Sequence, residues 1–254
     1  MIHYKTEEEI KLMKESCKLA AEVLLMIEPY VKPGVTTERL DQICHDYIIS
    51  KGAVPSPLNY RGFPKSICSS VNEEICHGIP SDRKLRNGDI VYLDITTYLN
   101  GFHGDTSRTF FVGSPRKKAA KLVDVCREAL QRGIEVVKPG AKLGDIGATI
   151  QNYAESHGYS IVREFCGHGI GANFHEEPQI LHYGSFGEGL EIKKGMVFTI
   201  EPMVNLGKPD LRILSDKWTA VTQDGEISAQ FEHTLCVTDN GVDVMTRLDG
   251  KTQF

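Results

Sequence analysis

Apolar residues recur at helical spacing near the start of the chain: Ile10, Leu12, Met13, Cys17, Leu19, Ala20, Val23, Leu24 and Ile27, with charges between them. Such a stripe marks an amphipathic helix lying on a core. The apolar run is too short and too interrupted by charge to cross a bilayer, and no cleavage-site pattern follows a basic start. No export signal is expected.

The pattern then repeats. Residues 30–53, YVKPGVTTERLDQICHDYIISKGA, match 136–159, VVKPGAKLGDIGATIQNYAESHGY, through Val31/Val137, Lys32/Lys138, Pro33/Pro139, Gly34/Gly140, Tyr47/Tyr153 and Gly52/Gly158. Each copy predicts a helix ending, a V-K-P-G turn and a second helix closed near a glycine. Further on, RNGDIVYLDI (86–95) matches KKGMVFTIEP (193–202), pairing Gly88 with Gly195 and Asp94 with Glu201 at nearly the same separation. Two matches in one order make chance a poor explanation. The chain reads as one domain, 1–254, in two similar halves of roughly 1–115 and 116–254.

Both later segments are strand-like, and each closes an apolar run with a carboxylate, read as lying at the end of a buried strand. A buried carboxylate is costly unless paired or bound to a cation. In LDITTYLNGFHGDTSRTFFV, Asn100-Gly101 is a strong hairpin signal. With those two as the loop, Leu99 faces Phe102 and Asp94 faces Ser107. Asp94 and Asp105 are then diagonal neighbours, roughly 7–8 Å apart at Cα, on one face. Beyond a second turn at Asp224-Gly225, EISAQFEHTLCV reads as one strand carrying Glu232.

Composition narrows the options. At 41% hydrophobic, 25% charged and net charge −5, the chain is an ordinary globular protein without a basic surface for nucleic acid or anionic membranes. Seven cysteines without a C-x-x-C pair imply neither a disulfide framework nor a zinc ribbon, and suit a reducing cytoplasm.

The stretch EFCGHGIGANFHEEPQ (164–179) has two histidines but not H-E-x-x-H, because Gln179 stands four residues after His175. Its glycines lack phosphate-loop spacing, but let the backbone approach something closely. His168 supplies a nitrogen to the acids already found. Singly, each acid reads as a surface or capping residue, and a lone histidine as a structural one. Together, Asp94, Asp105, His168, Glu201 and Glu232 suit two divalent ions about 3.5–4 Å apart, which would relieve the repulsion among four carboxylates.

NEEICHGIP (72–80), LDITTYLNGFHGDTSRTF (93–110), CGHGIGANFHEEPQI (166–180), FTIEP (198–202) and SAQFEHT (228–234) closely resemble the type I methionine aminopeptidases, over nearly the whole chain. The resemblance implies the α+β pita-bread fold: two pseudo-symmetric halves with a central curved antiparallel sheet covered by helices. It implies removal of the initiator methionine from peptides and nascent chains, with the same five residues as ligands and Asp105 and Glu232 bridging. It implies His175 and His77 as catalytic residues contacting the substrate, Glu201 as proton shuttle, and a methionine pocket of Tyr60, Phe63, Cys68, Phe174 and Trp218. Pro57 and Phe63 depart from the common cysteine and tyrosine.

The resemblance also implies cobalt, manganese, iron or zinc as cofactor, a monovalent cation near Asn72, Glu74 and Ser228, and transient ribosome association. A monomer is expected, since no long exposed apolar stripe is left over. Two other readings compete. A proline-specific relative would carry a large N-terminal domain, for which the repeat starting at residue 31 leaves no room. A metal-free binding protein would lack some of the ligands.

Overall fold

The computed structural model describes residues 1–248; residues 249–254 of the expected domain lie outside the described residues. The first half runs α1 (Glu7–Ile27), α2 (Thr37–Ser50), β1 (Val54–Pro55), β2 (Cys68–Val71), β3 (Glu74–Cys76), β4 (Ile90–Leu99) and β5 (Phe102–Phe111). The second begins with α3 (Lys117–Glu135) and α4 (Leu143–Ser156), followed by β6 (Ser160–Ile161), β7 (Gly167–Gly169), β8 (Glu176–Ile180), β9 (Val197–Ile200) and β10 (Met203–Asn205). Then come β11 (Leu211–Ile213), β12 (Ala220–Thr222), β13 (Ser228–Gln230), β14 (Glu232–Val237) and β15 (Val242–Val244).

Helix α1 starts where the charge pattern permits. Thr6 accepts from Glu9 N, and the Glu9 carboxylate accepts from Thr6 N, a reciprocal cap that satisfies two otherwise orphaned donors. The stripe Met13, Cys17, Ala20, Leu24 and Ile27 is fully or almost fully buried.

The repeat survives in detail. Gly34 N donates to Leu85 O and Leu85 N to Val35 O; in the second half Gly140 N donates to Ile192 O and Ile192 N to Ala141 O. Gly34 and Gly140 have φ of 91° and 88°, and Gly88 and Gly195 of 89° and 82°, so matched glycines hold matched left-handed turns. Gly88 N and Gly195 N donate to Val112 O and Val237 O in turn.

The main sheet orders its strands β1-β4-β5-β14-β9-β7-β8, with β2 on β4 and β15 on β14, and every pairing is antiparallel. β5 meets β14 at the centre, so the two halves join at Glu232 opposite Ser107. Each half has its own apolar core. Leu24, Ile27, Leu40, Ile48, Leu93 and Ile95 pack α1 and α2 on the first half of the sheet. Leu122, Cys126, Ile146, Ile150, Phe198 and Leu235 pack α3 and α4 on the second. No described helix is long and apolar enough to cross a membrane.

Candidate active site

Asn100 and Gly101, with φ of 53° and 87°, make the two-residue turn, which a right-twisted hairpin favours. Leu99 faces Phe102, Asp94 faces Ser107 and Thr96 faces Asp105. The two acids are thus diagonal on one face, as the spacing predicts. Asp94, however, sits within β4 and not at a strand end. β4 continues because its next polar side chains are bonded inside: Thr96 Oγ1 donates to Asp105 Oδ1 (2.8 Å) and Thr97 Oγ1 to Ser16 O (2.9 Å).

The expected single strand EISAQFEHTLCV is two strands. Thr109 Oγ1 donates to Gln230 O (2.8 Å) and accepts from Gln230 N (3.1 Å), replacing ladder bonds with side-chain bonds just before Phe231. The chain there passes from β13, paired with β10, to β14, paired with β5 and β9. The turn expected at Asp224-Gly225 is present, with Gly225 N donating to Thr222 O, and it links β12 to β13, which do not pair with each other. Glu232 opens β14, and Glu201 follows the last residue of β9.

His168 occupies the middle of β7. Its Nδ1 lies 2.9 Å from Gly169 O, which can only accept, so the proton is on Nδ1 and the Nε2 lone pair is free. Nε2 is 3.8 Å from Asp105 Oδ2 and 3.8 Å from Glu201 Oε1. A ring nitrogen anchored to a carbonyl while the other faces carboxylates is the usual arrangement of a metal-binding histidine. The glycines around it meet protein. A Cβ on Gly167 would fall 2.3 Å from Thr199 O, on Gly169 2.2 Å from Glu177 O, and on Gly171 2.5 Å from Lys5 Nζ.

Asp105, His168 and Glu232 each offer a donor atom, all within 4.8 Å of one another. Asp94 Oδ1 is buried with no hydrogen-bond partner. Burial pushes the Asp94 carboxyl up to about 6 and, with the neighbouring Asp94 charge, Glu201 up to about 8. Burial and mutual repulsion hold Asp105 and Glu232 well above the usual carboxylate range. A buried cluster with an unpartnered oxygen and an aimed imidazole lone pair fits divalent cations: hard oxygen donors and one nitrogen, with excess negative charge to neutralise.

The five line a cavity of about 540 Å³, along with His77, His175, Tyr60, Phe63, Cys68, Phe174, Trp218 and Pro57. Phe63 meets Trp218 edge-on at 5.2 Å, and Tyr60 lies 4.9 Å from Phe174. The His77 ring stands nearly perpendicular to those of Phe165 and Trp218, and burial lowers its pKa. Burial and the neighbouring His168 and Arg61 push His175 down to about 3, so its ring is neutral. Among the residues expected near a monovalent cation, Ser228 N donates to Asn72 O, while the Glu74 carboxylate accepts from Val71 N and Arg83.

Residues 11–239 match the model of metallopeptidase family M24. The methionine aminopeptidase of Escherichia coli (strain K12) is 54% identical over 247 residues, covering 96% of this chain and 94% of that protein. The crystal structure of methionine aminopeptidase from Rickettsia prowazekii superposes with a TM-score of 0.96 at 53% identity, covering 97% of this chain and all of that one. The chain belongs to the methionine aminopeptidases of family M24.

For a methionine aminopeptidase the curled antiparallel sheet with helices α1–α4 is the pita-bread fold. The prolidase from Pyrococcus furiosus shares that fold alone, with a TM-score of 0.76 at 24% identity, and the present chain covers 66% of it. Sequence reasoning missed several groups around this aminopeptidase site. Thr199 Oγ1 donates to Glu201 Oε1 (2.8 Å), Gln230 Nε2 reaches Glu201 Oε2 (3.3 Å), and Phe165 and Met203 complete the cavity wall. Thr96 was within reach, because the hairpin register sets it opposite Asp105. Thr199 was too, two residues before Glu201 and so on the same strand face. Gln230 carried no comparable signal.

Proposed function

We propose that this aminopeptidase hydrolyses the peptide bond after an N-terminal methionine, in peptides and nascent chains, using two divalent ions held by Asp94, Asp105, His168, Glu201 and Glu232. The observation that carries this reading is a cavity lined by four carboxylates and one imidazole, Asp105 and Glu232 among them buried, together with Tyr60, Phe63, Phe174 and Trp218. An acidic floor beside an apolar wall complements a free α-amine next to a thioether side chain, and an internal peptide bond presents no such amine.

When bound, the ions lower the pKa of a water and polarise the scissile carbonyl. Glu201, held by Thr199 and Gln230, takes the proton released as that water attacks and returns it to the leaving amine. His175 donates to the substrate carbonyl oxygen as negative charge develops, and His77 contacts the scissile amide. Cys68 and the aromatic walls hold the methionine side chain, which Phe63 without a hydroxyl and Pro57 make more apolar. Oxygen-rich donors suit manganese, iron(II) or cobalt, with zinc also accommodated.

A monovalent cation beside Asn72, Glu74 and Ser228 would depend on backbone carbonyls, because the Glu74 carboxylate already has protein donors. The setting is a cytoplasmic monomer with transient ribosome association, and seven free cysteines suit a reducing compartment.

The test is protein stripped of metal, given each ion in turn, and assayed on Met-Ala-Ser and Ala-Pro-Ser. Metal-dependent release of methionine from the first alone is expected. Cleavage of the second alone would move the chain to the proline-specific branch, and no cleavage with any ion would reject hydrolysis.

A further inference from the structure

Tyr60 lies in a turn where Asn59, Arg61 and Gly62 have φ of 66°, 49° and 89°. Asn59 and Arg61 are in the left-handed region without being glycine, a conformation that survives where the surroundings over-determine it and that clusters at functional sites. The turn is tied by Tyr60 N to Pro57 O, Asn59 N to Phe63 O and Phe63 N to Tyr60 O. The Arg61 guanidinium lies 5.3 Å from the Tyr60 ring, which stacks on His175 at 5.3 Å and 24°. Its hydroxyl is then 2.9 Å from His175 Nδ1.

We propose that Tyr60 is a positioning residue: its hydroxyl donates to Nδ1 of His175 and holds the imidazole as the Nε2–H tautomer. A neutral imidazole has one donor and one acceptor, and the partner of one nitrogen decides where the proton sits on the other. A donor at Nδ1 leaves the N–H on Nε2, the form a ring needs in order to donate to a carbonyl oxygen. The opposite tautomer would present a lone pair to that oxygen and repel it. A fixed tautomer carries weight in catalysis, because a misassigned imidazole is inactive even in intact geometry. The proposal rests on the reading of His175 as the donor to the substrate. It goes beyond the apolar role of Tyr60 as a wall of the methionine pocket, because it assigns separate work to the hydroxyl.

Tyr60→Phe keeps the ring and its stacking and deletes only the hydroxyl. The measurement is the ¹⁵N spectrum of histidine-labelled, zinc-loaded protein, in which pyrrole-type and pyridine-type nitrogens are well separated, with the His175 signals assigned by their loss in His175→Gln. The native protein is expected to show protonated Nε2 and bare Nδ1, and Tyr60→Phe a mixture of tautomers. On Met-Ala-Ser, kcat should fall roughly five- to tenfold, the weight of one neutral hydrogen bond, with KM held within about twofold. Protonated Nδ1 in the native protein, or a Tyr60→Phe spectrum and kcat like the native ones, overturns the proposal. The failure of His175 as donor is seen separately, as a His175→Gln variant with native kcat, because the tautomer spectrum does not depend on turnover.

Discussion

The backbone N–H of Glu201 donates to Nε2 of His182 across 3.0 Å, and the His182 ring is wholly buried. An N–H donor requires a lone pair on Nε2, so His182 is neutral with its proton on Nδ1, in keeping with burial that pushes its pKa down to about 3. This ring catches the main chain where it leaves β9 and before Pro202, and so sets where the Glu201 carboxylate is presented. His182→Leu is expected to cost about 1–3 kcal/mol by orphaning a buried donor, and to weaken metal retention as well. Urea unfolding and calorimetric manganese titration read the two effects, and unchanged manganese affinity would limit His182 to a packing role. His182→Gln, which can still accept, should recover part of both.

Ligation and transition-state stabilisation separate in two substitutions. Asp105→Ala is expected to abolish tight metal binding and activity together. His175→Ala should keep the metal content and lower kcat by roughly 10²- to 10³-fold, the weight of one donor to a developing oxyanion. Elemental analysis of the purified variants, alongside their kinetics, checks both, and full activity in either removes that residue from its role.

The metal-free protein should lose stability as pH rises from 7 to 8. Glu201 is raised to about 8, and Asp105 and Glu232 are held well above the usual carboxylate range, against unfolded values near 4. A raised folded pKa gives stability that is complete below the unfolded value and is lost as pH climbs through the folded one. The histidines act in the opposite sense. His175, His182 and His233, depressed to about 3, make stability grow with pH only up to their unfolded value near 6.5. Above pH 7 the carboxylates therefore dominate. Added manganese should stabilise more at pH 8 than at pH 7, because binding has fewer protons to displace. Thermal melts with and without metal test this, and a metal-free Tm that rises over the interval would contradict it.

Lys5 pairs with Glu176, the neighbour of His175, with the lysine side chain 2% exposed and the carboxylate 14%. The same lysine is anchored by its backbone N–H to Gly195 O at 2.7 Å. The segment before α1 thereby braces the loop that carries Phe174 and His175. Lys5→Met leaves a largely buried carboxylate without its cation, with only the Asn173 N–H still donating to it, and is expected to destabilise by roughly 3 kcal/mol. It should also lower kcat more than it raises KM, which denaturant unfolding and steady-state kinetics together resolve. A destabilised variant with native kcat would confine Lys5 to stability.

Much of this was legible in the chain itself. The apolar stripe of α1 predicted its buried face, and the matched V-K-P-G turns predicted paired helices of equal span, Thr37–Ser50 and Leu143–Ser156. Asn100-Gly101 predicted the register that sets Asp94 and Asp105 on one face, because a two-residue turn leaves no freedom in cross-strand pairing. These are local relations, governed by the period of a helix or strand and by residues that tolerate positive φ.

Other features depend on contacts between segments far apart in sequence. Where β13 gives way to β14 was decided by Thr109, whose hydroxyl takes over both backbone groups of Gln230. The pairs His182–Glu201, Tyr60–His175 and Lys5–Glu176 carry no periodic signal: the last two form only once the two halves have closed around the cavity, and the first joins two segments of the second half. Sequence determined which residues are the candidates for the chemistry and which face of each hairpin or helix they occupy. Tertiary structure alone decided their protonation, tautomers and partners, because burial and a hydrogen-bonding neighbour across the fold fix where a proton sits.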